Sequence, residues 1–154
     1  MKNSKEIDIA QKLIRCKSIA PKDGGALKIV EKKCKSMGFK CTKLRFAEKG
    51  FDTINNLYAE IGSGSPHFSF AGHVDVVPAE KKEWAVDPFA GKIKNNFLHG
   101  RGAVDMKSAI ACFISATKSY LEENKNFKGK ISVLISGDEE TWAINGTKKI
   151  LKWL

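Results

Sequence analysis

The run Ile131-Ser132-Val133-Leu134-Ile135 constrains this chain most. It is apolar at four of five positions and too short for a helix, so it reads as a strand buried inside a sheet. Such a strand needs covering elements, and the sequence supplies them at helical spacing. Ile7, Ala10, Leu13 and Ile14 mark an amphipathic helix over residues 4–16, and Pro21 bars its continuation. Leu27, Val30, Cys34 and Met37 mark a second, started by Asp23-Gly24-Gly25 and ended at Gly38, where a left-handed cap is wanted. Ala109, Ile110, Phe113, Thr117, Tyr120 and Leu121 mark the longest helix, from Met106, with Asp105 at its N-cap position.

Strand patterns fall between these helices. Phe39 to Phe46 alternates as Phe39/Cys41 and then Leu44/Phe46, a phase slip that suggests a bulge. Leu57, Ala59 and Ile61 alternate, Gly62 to Pro66 makes a turn, and Phe68-Ser69-Phe70 begins another strand. Ile93 to Leu98 around Asn95-Asn96 reads as a short hairpin. The alternation predicts an α/β fold with a mixed, largely parallel sheet flanked by helices.

With 154 residues, 42% of them hydrophobic, the chain is long enough to bury a core. No apolar run approaches the roughly 20 residues of a membrane span, and the first 21 residues have no apolar signal-peptide stretch, so a cytoplasmic protein without a membrane partner is expected. Cys16, Cys34, Cys41 and Cys112 show no paired spacing and read as free thiols. The net charge of +10 comes almost wholly from residues 1–50, which carry 14 basic and 5 acidic residues. Only Arg15, Arg45 and Arg101 are arginines, whereas a nucleic-acid surface favours arginine with interleaved aromatics. The excess is read as a lysine-covered solvated surface, with no nucleic-acid partner.

Ligands in such sheets gather beyond the carboxyl ends of strands, and three segments qualify. In His73-Val74-Asp75 the first and third residues face the same way on an extended chain, so Asp75 is placed to hold the imidazole of a metal-ligating His73. For the tripeptide alone, a histidine and an aspartate at a strand end making ordinary surface hydrogen bonds is the favoured reading. Asp105 has a sufficient task as a helix cap, or bridges two cations with its two oxygens. Asp138-Glu139-Glu140 comes directly after the buried strand; three adjacent acids make either a solvated loop or a cation site, in which one carboxylate ligates and another acts as general base.

Taken in order, Gly72-His73-Val74-Asp75-Val76-Val77-Pro78, Trp84 with Asp87-Pro88-Phe89, Gly100 to Lys107, and Asp138-Glu139-Glu140 resemble the signature of the dinuclear zinc aminoacylase and carboxypeptidase family. The resemblance implies the N-terminal part of a zinc-peptidase-like catalytic domain. It implies His73 as ligand of one metal, Glu140 of the other, and Asp105 as the bridge between two Zn2+ or Co2+ ions. Asp75 would support His73, and Glu139 would be the general acid/base in hydrolysis of an amide in a small-molecule substrate. The resemblance implies a chain about twice this long, a catalytic domain interrupted by a smaller dimerising domain, and a homodimer of such chains. On that reading residues 1–154 are an incomplete catalytic domain, without the dimerisation or lid domain and the C-terminal part, and weak metal binding is expected of them. His67 is expected at the far end of its strand from His73, and His99 in the hairpin, so neither adds a ligand. Thr141-Trp142 departs from the small or acidic residues the family usually has after its two glutamates.

Overall fold

The computed structural model describes residues 4–154. Helices α1 (Lys5–Arg15) and α2 (Ala26–Ser36) precede strands β1 (Lys40–Phe46), β2 (Ile54–Ser63) and β3 (His67–His73). The hairpin β4 (Lys92–Lys94) and β5 (Phe97–His99) leads to α3 (Ser108–Glu123), β6 (Gly129–Ser136) and α4 (Thr147–Trp153). Asn95 and Asn96 both take positive φ in the two-residue turn between β4 and β5, the left-handed pair that such a turn demands.

The main sheet has the order β1-β2-β6-β3. It is mixed and flanked by helices as expected, but parallel pairing is confined to β3 and β6, while β1/β2 and β2/β6 are antiparallel. Chain reversal explains the correction. Residues 47–53 and 64–66 are short connections that turn the chain back, and only residues 74–128, carrying α3, are long enough for a parallel crossover.

Side-chain alternation sends the apolar residues of β1, β2 and β6 to two cores. On one face Leu57, Ala59, Val133 and Ile135 pack against Ile9 and Leu13 of α1, Val30 and Cys34 of α2, and Ile110 and Ile114 of α3. On the other, Tyr58 and Leu134 pack with Leu44 and with Ile150 of α4. This also removes the expected bulge. The β1/β2 register runs unbroken from Lys40↔Glu60 to Phe46↔Ile54. The phase slip arises because Phe39 and Cys41 belong to the first core, and Leu44 and Phe46 to the second. Among the described residues no helix is long and apolar enough to cross a membrane.

The parallel register pairs His73 with Ser136, so β3 and β6 end side by side. The segments that leave them, 74–78 and 137–146, therefore emerge at one edge of the sheet.

Candidate metal centre

His73 closes β3 with its ring buried, and the alternating backbone beyond it is held from both sides. Val74 N–H donates to the Ser136 carbonyl at 2.9 Å and Val76 N–H to the Ser18 carbonyl at 3.0 Å. The Ser18 hydroxyl donates to the Val74 carbonyl at 2.6 Å. Val74 is buried in the first core, leaving His73 and Asp75 on the opposite side of the chain. His73 Nδ1 lies 3.1 Å from the Asp75 backbone oxygen and 3.5 Å from its Oδ1. The Asp75 backbone oxygen as acceptor, with the Asp75 carboxylate charge beside it, favours the proton on Nδ1 and leaves Nε2 for a ligand.

Asp105 does not cap a helix. Helix α3 starts at Ser108, and Asp105 lies in the turn Ala103–Lys107 with extended φ/ψ of −115° and 98°. Its carboxylate is turned outward to His73 Nε2, 2.9 Å from Oδ1. Gly102 makes this approach possible: its φ is +77°, and a Cβ there would lie 2.6 Å from Val76 Cγ1.

The acidic triplet divides its work. Asp138 is buried and accepts hydrogen bonds from the Thr141 hydroxyl and from the N–H groups of Ala143 (3.2 Å) and Asn145 (2.9 Å), which shapes the loop. Asp75 Oδ2 then accepts the N–H groups of Glu139 at 2.9 Å and Glu140 at 2.8 Å. One carboxylate thus positions the histidine and both glutamates. Glu139 Oε2 is 3.7 Å from His73 Nε2 on the open side. The ligand atoms of His73, Asp105 and Glu140 all lie within 4.8 Å of one another. A cleft of about 320 Å³ opens on His73, Asp105 and Glu139.

The charges match this arrangement. Burial pulls the His73 pKa down, but the Asp75 and Asp105 carboxylates more than offset it and hold the imidazole at about 9. Burial pushes Asp75 up, yet His73 and the two glutamate amides win and hold it below the usual carboxylate range. Glu140 is raised, by burial first and then by the Asp105 charge. Asp75 Oδ1 is buried and has no hydrogen-bond partner among the described residues, and it faces the one histidine that a metal would neutralise. A buried oxygen aimed at an imidazole, and three convergent hard or borderline donors, fit a divalent metal ion.

His67 and His99 lie away from this cluster. His67 opens β3 and meets the Ser132 hydroxyl at 2.8 Å, and His99 Nε2 lies 3.4 Å from the Lys94 carbonyl. Trp142 is exposed, edge-on to Phe51 at 6.0 Å. Sequence reasoning missed Asn56, which is buried in β2 and braces the acidic loop: its Oδ1 accepts the Gly137 N–H at 3.1 Å and its Nδ2 donates to the Asn145 carbonyl at 3.0 Å. Asn55 and Asn56 stand side by side in β2, one exposed and one buried, and nothing in the sequence marks which of the two turns inward. It also missed Lys107, whose side chain is fully buried and donates to the Cys16 carbonyl at 2.9 Å. Burial draws the Lys107 ammonium down to about 8 against the opposing pull of Cys16 and Asp75.

Known proteins resemble the chain in sequence and in fold. It is 53% identical over 149 residues to a succinyl-diaminopimelate desuccinylase of Parvibaculum lavamentivorans, a match covering 96% of this chain and 37% of the relative. The desuccinylase of Beijerinckia indica is 51% identical, with 96% and 39% covered. The chain therefore spans about two fifths of the length of these curated relatives. Human carnosine dipeptidase 1 shares the fold with a TM-score of 0.85 at 19% identity, over 96% of this chain and 34% of that one. The M20 family metallo-carboxypeptidase Sso-CP2 of Sulfolobus solfataricus superposes with a TM-score of 0.68 at 23% identity, over 88% and 31%. The model of peptidase family M20/M25/M40 matches residues 69–154, which include all five residues of the cluster. By that match the chain belongs to peptidase family M20/M25/M40.

Proposed function

We propose that this chain contributes the His73, Asp75, Asp105, Glu139 and Glu140 part of the active site of a metal-dependent amide hydrolase. The substrate is N-succinyl-LL-2,6-diaminopimelate, cleaved with water to succinate and LL-2,6-diaminopimelate on the route to lysine. The convergence of His73, Asp105 and Glu140 within 4.8 Å, in a chain about half identical to desuccinylases, carries the reading.

His73 and Glu140 would each hold an ion, and Asp105 would be a ligand to both. Zn2+ or Co2+ bound there would supply polarisation of the amide carbonyl and a lowered pKa of water. Asp75 keeps the His73 proton on Nδ1 and pins the backbone of both glutamates. Glu139, its side chain about half exposed at the cleft, takes the proton of the attacking water and delivers it to the leaving amine. A homodimeric assembly and a cytoplasmic location belong to the same proposal.

With Asp105 shared, each ion has two donors among the described residues, where a catalytic zinc takes three. That favours a second reading for these 154 residues alone: weak metal binding without turnover. Calorimetric titration with Zn2+ and succinate release, measured on one preparation, separate the readings. Metal bound through His73, with succinate released and lost in Glu139→Gln, supports the hydrolase. Metal bound with no release limits these residues to binding. No metal bound, or binding unchanged in His73→Ala, overturns the site. N-acetylornithine and N-acyl amino acids as competing substrates test the acyl specificity.

A further inference from the structure

Lys107 has no part in the proposed hydrolysis, yet it is the largest fully buried side chain among the described residues. Its ammonium donates to the Cys16 carbonyl at 2.9 Å, and the same carbonyl accepts the Ser18 N–H at 2.8 Å. Ser18, itself fully buried, holds the strand end beyond His73 twice, through its hydroxyl on the Val74 carbonyl and its own carbonyl on the Val76 N–H. Lys107 N–H donates in turn to the Gly102 carbonyl at 2.9 Å, closing the turn that carries Asp105. Residues 16–18 supply no ligand, but both ligand-bearing segments are tied to them.

We propose that Lys107 is a positioning residue: by fixing residues 16–18 against the Asp105 turn, it sets the separation of His73 and Asp105 from behind the metal site. The packing supports this directly. Gly102 sits where an added Cβ would meet both Val76 Cγ1 and Lys107 Cδ, at 2.6 and 3.2 Å, so strand end, turn and lysine stem are in contact. A buried ammonium held by one backbone carbonyl costs desolvation that a methionine of similar length would avoid. Its tie to Cys16 gives it a positional task that a methionine does not perform. Residues supporting metal ligands typically change metal affinity about 10- to 100-fold when removed.

The proposal rests on the metal-site reading for its consequence, and two measurements on the whole chain keep them apart. In Lys107→Met, hydrogen exchange should show the Val76 amide losing protection at least about tenfold more than the Leu134 amide in the centre of β6. Co2+ affinity should fall about 10- to 100-fold, with an altered visible Co2+ spectrum. Ser18→Ala, which releases the same clamp from its other side, should reproduce both effects even if Lys107→Met does not fold. Equal loss of protection at Val76 and Leu134, or unchanged Co2+ affinity in a folded variant, overturns the positioning role. If the unmodified chain binds no Co2+, the metal-site reading fails, and the exchange result still decides whether the clamp exists.

Discussion

The proton on His73 makes the sharpest prediction. Without metal, the Asp75 and Asp105 carboxylates hold the imidazole cationic to about pH 9, and a metal ion needs Nε2 without its proton. Between about pH 8 and about pH 6, metal affinity should therefore fall by one proton's worth per unit, about 100-fold or 2.7 kcal/mol in all. Calorimetric Co2+ titrations across that range should give a slope of one for log K against pH. Repeating them in buffers of different ionisation enthalpy should show close to one proton released per ion. Asp75→Asn removes one of the carboxylates that raise His73, so the slope should flatten toward the upper end of the range. Stability moves the opposite way in the metal-free chain. A raised histidine pKa contributes stability that is complete below about pH 6.5 and is lost as the pH rises through about 9. The metal-free Tm should thus decline over that window while the Co2+-induced rise in Tm grows. A flat log K between pH 6 and 8 with no proton release would mean that His73 is already neutral, and would refute the electrostatic account.

Asp138→Ala should cost about 1–3 kcal/mol in urea unfolding and loosen the 139–145 loop, because three donors lose their buried acceptor together. Asn56→Leu, of similar size, should also destabilise by about 1–3 kcal/mol, since the Gly137 N–H and Asn145 carbonyl are left buried and unpaired. Asp75→Ala should lower Co2+ affinity about 10- to 100-fold at about pH 8, where release of the glutamate amides outweighs the easier loss of the His73 proton. Gly102→Ala, at φ +77° and with its Cβ against Val76, should reduce both Tm and Co2+ affinity.

Periodicity made α1, α2, α3 and strands of the main sheet legible, because their apolar residues recur at fixed spacing, and Asn95-Asn96 marked the hairpin. The candidate site residues could be picked out because His73, Asp105 and the two glutamates follow apolar runs, but each alone fitted a plain structural task, and the family resemblance is what joined them into one proposed site. What escaped was the second face of the sheet. With α4 covering Tyr58 and Leu134, apolar residues of β1 serve two cores, and a pattern rule that assumes one buried face reads this as a bulge. Asp105 shows another gap: an acid just before a helical pattern looks like a cap, and only the turn through Gly102 redirects it toward His73. Lys107 and Asn56 are polar types usually found outside, so nothing local to either reveals a partner more than 80 residues away.

The side-by-side ending of β3 and β6 has a kinetic consequence. Their pairing aligns His73 with Ser136 across a long intervening segment, a closure whose entropy is met late compared with the local β1/β2 hairpin. His73 and Glu140 come together only once that closure is made. A metal ion therefore has little to hold in earlier species, and it should retard unfolding far more than it accelerates folding. The same ion would act as a latch on the finished sheet rather than as a nucleus for building it.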